Sequence, residues 1–176
     1  MGLELLASNY EKIAETIKTS KSFNFEKTFQ NANVDNVERR HIPTINEGME
    51  GKSVNGVKFE KRTFILNEEK VEGVFPVFKS HFDCRLPENM YRSSDSEQMK
   101  YCVKNLAERI ERDPDFGKNF TARQLEQIRN GEPRINGLTW HHNEIPGKMQ
   151  LVNSVDHNAA RHTGGRSIWG GGSDSR

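Results

Sequence analysis

Histidines are concentrated near the C-terminus of the chain. Of its six histidines, four lie within one short segment: His141, His142, His157 and His162. An isolated histidine usually lies at the surface or is a satisfied core residue, and we interpret His41 and His81 in this way. Four histidines in one segment that also changes secondary structure predict a site of chemical function.

The same segment has the pattern of two strands followed by a helix. Residues 137–142 and 149–152 are strand-like and are separated by a turn at Ile145-Pro146-Gly147-Lys148. We expect Ser154 to cap a helix over residues 154–161, which Gly164-Gly165 would end. The sequence therefore predicts a ββα unit, a finger over residues 137–166.

Neighbouring side chains of a strand point to opposite faces, so His141 and His142 should face different surroundings. One imidazole can face a metal held from the helix while the other faces a water or a phosphodiester. His157 would approach the same metal, with His162 as a further ligand or a phosphate contact. Phosphodiester hydrolysis needs a base for the attacking water and a cation for the developing negative charge, and this arrangement supplies both.

The ordered string of motifs resembles the WHH subgroup of the HNH/endonuclease VII nucleases, which occur as C-terminal domains of polymorphic bacterial toxins. The resemblance covers about a fifth of the chain strongly. It is carried by Gly137-Leu138-Thr139-Trp140-His141-His142-Asn143, Lys148-Met149-Gln150-Leu151-Val152, His157 and His162-Thr163-Gly164-Gly165-Arg166-Ser167-Ile168-Trp169-Gly170.

This resemblance implies roles for individual residues. As in the nuclease colicins, which share the finger, His141 would be a metal ligand and His142 the general base. His157 would complete the metal site and His162 would join it. The colicin helix ligands are four residues apart, whereas His157 and His162 are five apart, so a phosphate contact stays open for His162. Gln150 stands in place of the central Asn of HNH, which orients the base through backbone hydrogen bonds.

Other polar residues near the motif receive weaker interpretations. We expect Arg166, and after it Arg161 or Arg134, to hold phosphate, with a solvated surface role as the alternative. Trp140 is interpreted as a packing residue rather than a base-stacking platform. Two acidic residues are not expected to be ligands: Asp156, a charge at a helix N-terminus, and Glu144, which lies in the turn.

The chain before the motif predicts an α+β fold, with β-hairpins and helices leading into the C-terminal ββα-metal (His-Me) finger. Residues 1–50 are interpreted as an N-terminal helix and a linker arm, and residues 51–176 as the nuclease toxin domain. Asn55-Gly56 and Leu66-Asn67-Glu68-Glu69 predict hairpin turns. Ser94 with Glu97, and Thr121 with Gln124, have the spacing of helix capping boxes. Pro76 should place its strand at a sheet edge or at a bulge.

Composition bounds the class of protein. Apolar residues make up 33% of the chain and charged residues 29%, and 26 basic against 25 acidic side chains give a net charge of +1. This balance argues against a passive nucleic-acid coat protein. No apolar run approaches the ~20 residues of a membrane span. Cys84 and Cys102 are interpreted as buried and reduced rather than as a disulfide.

We therefore expect a metal-dependent DNase that acts as an interbacterial toxin. It would be secreted as part of a larger polypeptide, act in the cytoplasm of a target bacterium and be neutralised by a cognate immunity protein. One divalent ion, Zn, Ni, Mn or Mg, would serve as cofactor. An RNA-cleaving toxin, a homing or restriction nuclease and a structural zinc module are the alternatives. The lack of cysteine near the cluster argues against the zinc module.

Overall fold

A computed structural model of the chain describes residues 39–175. The amphipathic helix predicted from Leu3, Leu6, Tyr10, Ile13 and Ile17 lies outside them, and the predicted boundary near Gly51 stays a prediction. The strands are β1 (Arg40–His41), β2 (Ser53–Val54), β3 (Val57–Leu66), β4 (Glu69–Val77), β5 (Ser80–Arg85), β6 (Leu138–His142) and β7 (Lys148–Asn153). The α-helices are α1 (Asp95–Arg112), α2 (Pro114–Gly117), α3 (Ala122–Arg129), α4 (Ser154–Ala159) and α5 (Gly165–Ile168). Short 3-10 helices span Glu47–Met49, Glu88–Met90 and Gly172–Ser175.

The first sheet has four strands in the order β1-β4-β3-β2. Its hairpin turns lie where they were predicted, because Asn55, Asn67 and Glu68 have positive φ angles of 49°, 51° and 67°. Pro76 pairs with Phe59 on one side, and β1 reaches only Val71 and Glu72 on the other side of β4. Strand β4 is therefore an inner strand and not an edge strand, but among the described strands Pro76 lies in a part of β4 that is paired on one side alone.

The helices begin at the predicted capping boxes. The hydroxyl of Ser94 accepts the backbone N–H of Glu97 at the start of α1, and Thr121 does the same for Gln124 at α3. Asp113 ends α1, and its carboxylate then caps α2, a short helix that the sequence did not predict. Among the described residues, no helix is long and apolar enough to cross a membrane.

The second sheet has the order β5-β7-β6, and helix α4 follows β7 directly, so the ββα finger is present. The predicted N-cap is wrong by one residue. The Asn153 side chain, not Ser154, accepts the backbone N–H groups of Val155 and Asp156. The predicted end is also wrong, because the chain leaves the helix at Ala160 (φ −85°, ψ 69°) instead of at Gly164-Gly165.

The hydrophobic core joins both sheets and the helices. A large cluster packs α1 against the second sheet, with Leu106, Met149 and Leu151 fully buried. Cys84 and Cys102 lie in it as free thiols, as predicted. A smaller cluster lies under the finger and consists of Val57, Phe59, Val74, Phe78, Val152 and Ala160. The fold is thus α+β, as predicted, and its smaller cluster places Phe78 beneath the histidines.

Candidate metal centre and catalytic cavity

Three histidines of the finger lie close together. The ligand nitrogens of His141, His157 and His162 lie within 4.8 Å of one another. The Nε2 atom of His162 is 3.2 Å from Nδ1 of His141. Within residues 39–175, they are the one group of three or more His, Cys, Asp or Glu side chains with this geometry.

The position of His162 follows from the early end of helix α4. His157 and His162 are five positions apart in the chain, which would place the two side chains on different faces of a continuing helix. Because the helix ends at Ala159, the chain turns back and brings the His162 ring to 5.0 Å from the His157 ring, between centroids. The five-residue spacing, which left a phosphate contact open for His162, therefore does not keep its ring away from the other two.

Hydrogen bonding leaves one nitrogen of His162 ready to bind a cation. Its Nδ1 lies 2.6 Å from the carbonyl oxygen of Ala160, which can only accept. Nδ1 therefore carries the hydrogen, and Nε2, which faces His141, carries the lone pair. A hydrogen bond from the far ring nitrogen to a backbone carbonyl is typical of metal-binding histidines.

Burial keeps these rings uncharged. Desolvation lowers the pKa of His141 well below its usual range, and the neighbouring His162 and His157 add to the effect. Desolvation, together with His162, lowers the pKa of His157 to about 4. The pKa of His162 is also lowered by desolvation, against the opposing hydrogen bond to Ala160. Neutral imidazoles are the form that binds metal.

Phe78 supports the three rings from beneath. Its centroid lies 4.8 Å from that of His141 and 5.4 Å from those of His157 and His162. Strand β4 ends at Val77, one residue before it. No motif of the sequence indicated that Phe78 contacts the site.

Asn46 is a second residue that the sequence did not indicate. It is 3% exposed, and its side chain donates to the carbonyl of Arg161 at 2.8 Å. The same side chain accepts the backbone N–H of Thr163 at 3.2 Å, so it holds the chain on both sides of His162. The sequence offered no signal for this, because Asn46 lies in a polar stretch interpreted as linker.

His142 faces the opposite side of strand β6 from His141. It is 8% exposed, and its Nε2 lies 2.6 Å from Oε1 of Gln98. Its ring also lies 5.6 Å from that of Trp169. The predicted division of the two neighbouring histidines between two faces is thus what the structure shows, and Gln98 is a further neighbour that the sequence did not indicate.

Arg166 lies beside His142 and is 5% exposed. Its Nε is 3.1 Å from Oδ1 of Asp95, and another of its nitrogens donates to the Ser93 carbonyl at 3.1 Å. The structure thus places Arg166 in the wall of the site, held by the start of α1, whereas Arg161 is exposed at the rim.

Gln150 lies in a chain of amide contacts beside the finger loop. Its Oε1 accepts from the Asn143 side chain at 3.0 Å, and its Nε2 donates to Asp83 at 3.1 Å. Asn143 in turn accepts the Trp169 indole N–H on its backbone carbonyl at 2.8 Å. A Cβ on Gly165 would overlap that carbonyl, so only glycine fits there. The two bonds of Gln150 itself run between side chains, not to the backbone near His142 as the resemblance implied.

The remaining candidates lie outside the cluster. Glu144 is buried and its Oε1 is 3.4 Å from Nε of Arg62, while burial raises its pKa. Asp156 accepts the Asn55 side chain at 2.7 Å in the first turn of α4. Trp140 is packed in the core, and His41 is exposed, with Nε2 3.2 Å from Glu47.

All four clustered histidines line one cavity of about 490 Å³. Its wall also includes Asp95, Arg161 and Arg166, which give it a polar and charged lining. An open polar cavity of this size beside three convergent imidazoles has room for a phosphodiester and a water.

Comparison with known proteins places this geometry in a family. The model of the DNase/tRNase domain of colicin-like bacteriocin matches residues 67–164, more than half of the chain and all four clustered histidines. No curated protein and no solved structure matches the chain significantly. On the family match, this chain belongs to the DNase/tRNase domains of colicin-like bacteriocins, a family of nuclease toxins.

Proposed function

We propose that this chain is a metal-dependent HNH-type endonuclease that hydrolyses phosphodiester bonds of DNA. The observation that carries the proposal is the arrangement of the four histidines on the two faces of strand β6. On one face, three imidazole nitrogens lie within 4.8 Å of one another, and on the other a fourth imidazole lines the same cavity. The Trp140-His141-His142 string supports assignment to the WHH subgroup as part of this proposal.

The donor set suits a divalent transition metal. His141, His157 and His162 would hold it, since all three have lowered pKa values and the lone pair of His162 faces the cluster. Imidazole ligands favour zinc, nickel or manganese, whereas magnesium would depend on oxygen atoms of the substrate. When bound, the cation supplies positive charge for the oxygens on which negative charge develops.

In the proposed reaction, His142 accepts the proton of the attacking water as that oxygen bonds to phosphorus. The bond from phosphorus to the leaving oxygen then breaks, and solvent returns a proton to that oxygen. A histidine base of this kind contributes roughly 10²- to 10⁴-fold in rate. Arg166 would add positive charge from the cavity wall, and Gln150 would organise the loop through Asn143 and Asp83.

DNA is the proposed substrate because attack by an external water needs no 2′-hydroxyl. An RNA-cleaving toxin is the second candidate, favoured by the family description, which names tRNases beside DNases. We further propose delivery into a target bacterium as part of a larger secreted toxin, with the start of the chain as an arm. This arm is shorter than the expected residues 1–50, because β1 and Asn46 belong to the nuclease domain. A cognate immunity protein would neutralise it in the producing cell.

The test incubates the purified chain with supercoiled plasmid and with tRNA, with and without a chelator and added divalent ions. The wild type is compared with His142→Ala and with the control His41→Ala, which changes an exposed histidine outside the cavity. We expect chelator-sensitive plasmid cleavage that only His142→Ala abolishes. Full cleavage by His142→Ala would contradict the assignment of His142 as the base, and cleavage in the presence of chelator would contradict the metal dependence. Cleavage of tRNA alone would show that the enzyme is an RNase.

A further inference from the structure

A glutamine lies behind His142, where the proposed mechanism has no role for it. Gln98 is in the first turn of α1 and is fully buried, with 0% exposure. Its backbone N–H bonds to the carbonyl of Ser94, so the capped start of the helix fixes its position. Because a buried amide must have all its polar atoms satisfied, its partners reveal what it does.

The amide of Gln98 has one orientation that satisfies its neighbours. Its Nε2 lies 2.7 Å from the carbonyl oxygen of Met90 and 2.9 Å from that of Tyr91, and both oxygens can only accept. Its Oε1 lies 3.4 Å from a guanidinium nitrogen of Arg166, which can only donate. The amide nitrogen therefore faces the two carbonyls and the amide oxygen faces His142.

This orientation determines the tautomer of the histidine. Since Oε1 can only accept, the Nε2 atom of His142, at 2.6 Å, must be the donor of that hydrogen bond. In the neutral ring the lone pair is then on Nδ1. Asp95 does not compete as the acceptor, because its Oδ1 is 3.9 Å from the same Nε2 and 3.1 Å from Arg166.

We propose that Gln98 is a positioning residue of the nuclease: it fixes the ring orientation and the Nε2–H tautomer of His142, so that Nδ1 receives the proton of the attacking water. This rests on the proposed role of His142 as the base. Gln98 itself does not line the cavity and touches no substrate. A partner that holds a catalytic histidine in its productive tautomer acts on the rate of the chemical step and leaves substrate binding unchanged.

Two substitutions separate this role from packing. Gln98→Glu keeps an oxygen acceptor for His142 but loses the donors to Met90 and Tyr91. Gln98→Met keeps the volume of the side chain and loses both functions. Gln127→Met is the matched control, because Gln127 also bridges backbone groups, accepting from Asn136 N–H at 2.8 Å, but does so on helix α3.

The tautomer is read first, without any activity, from two-bond ¹⁵N–¹H correlation spectra of the histidine rings in the full chain, with chelator and with zinc. His142→Ala assigns the signal. We expect the Nε2–H pattern in the wild type and in Gln98→Glu, and loss of that pattern or a mixture of tautomers in Gln98→Met. An Nδ1–H ring in the wild type would overturn the proposal even if no variant folds.

Cleavage rates then test the consequence, on whichever polynucleotide the wild type cuts. Gln98→Met should lower kcat roughly 10- to 100-fold with KM unchanged, a loss like that caused by removing the hydrogen-bond partner of a metal-binding histidine. Gln98→Glu should stay within several-fold of wild type. Equal losses in Gln98→Glu and Gln98→Met, or a loss in Gln98→Met no larger than in Gln127→Met, would overturn it. Failure of the base assignment is recognised separately, by full activity of His142→Ala.

Discussion

The two faces of strand β6 hold neighbouring histidines in opposite kinds of surroundings. On the His141 face, three neutral rings lie against Phe78, and their nitrogens point at one another. On the His142 face, the Gln98 amide hydrogen-bonds the ring, and the Arg166 guanidinium in turn contacts Gln98 and Asp95. On one face, ring nitrogens point toward a common position, whereas on the other a hydrogen bond fixes the hydrogen on Nε2 of His142. A cation needs the first arrangement and a proton acceptor needs the second.

The largest expected effect comes from removing one histidine from each face. His142→Ala should lower the cleavage rate by roughly 10²- to 10⁴-fold while metal affinity stays within a few-fold of wild type. His157→Ala should instead weaken metal affinity by more than about 100-fold. Loss of a hydrogen-bond partner of a metal ligand already costs about 10- to 100-fold in affinity, and this variant loses a ligand itself. Calorimetric metal titration and plasmid cleavage measure the two effects. A parallel loss of affinity in both variants would show that the faces are not distinct.

Phe78→Ala tests the support beneath the His141 face. Phe78 is buried in the smaller core cluster, so its removal should lower the free energy of unfolding by about 3–5 kcal/mol. Because its ring contacts all three histidines, metal affinity should fall as well. Phe120→Ala is the control, since Phe120 is also buried but belongs to the larger cluster. Urea unfolding and metal titration of both variants make the comparison, and equal metal affinities would argue against the supporting role.

Asn46→Ala should loosen the loop that carries His162 without touching a ring. The variant loses the hydrogen bonds to Arg161 and Thr163, so we expect metal affinity to fall roughly 10- to 100-fold. Asn119→Ala, which removes an exposed side-chain bond to the Phe116 carbonyl, is the control and should bind metal as the wild type does. Unchanged affinity in Asn46→Ala would leave the loop held by other contacts.

Acid should destabilise the metal-free protein through the His141 face. Burial lowers the pKa of His157 from 6.5 to about 4, so between these values the unfolded chain binds more protons than the folded one. The free energy of unfolding should therefore fall as the pH drops through this window. Urea unfolding in chelator between pH 7 and pH 4 measures the slope. The slope should be shallower in His157→Gln, and an unchanged slope would assign the acid sensitivity to other groups.

Local sequence signals predicted the elements well and the contacts between distant elements poorly. Capping boxes and hairpin turns follow from residues close together in the chain, and both are confirmed. Asn46 and Gln98 are far in sequence from the histidines they contact, so no spacing indicated either of them. The spacing of His157 and His162 was misleading because it assumed a continuous helix. Ala160 leaves the helical conformation at the end of α4, and no residue of this segment predicts that end.

The smallest expected effect tests whether the start of α1 matters to the His142 face. Ser94→Ala removes the cap of the helix that carries Asp95 and Gln98, and it should cost about 1 kcal/mol of stability. Thr121→Ala removes the equivalent cap of α3 at a similar cost, but the first turn of α3 carries no residue that contacts His142. We expect only Ser94→Ala to lower kcat, by a few-fold and less than Gln98→Met does. In this variant the Gln98 side chain is held less firmly, but its Oε1 still accepts the hydrogen bond from His142. Equal rates in the two cap variants would show that Met90, Tyr91 and Arg166 suffice to hold Gln98 in place.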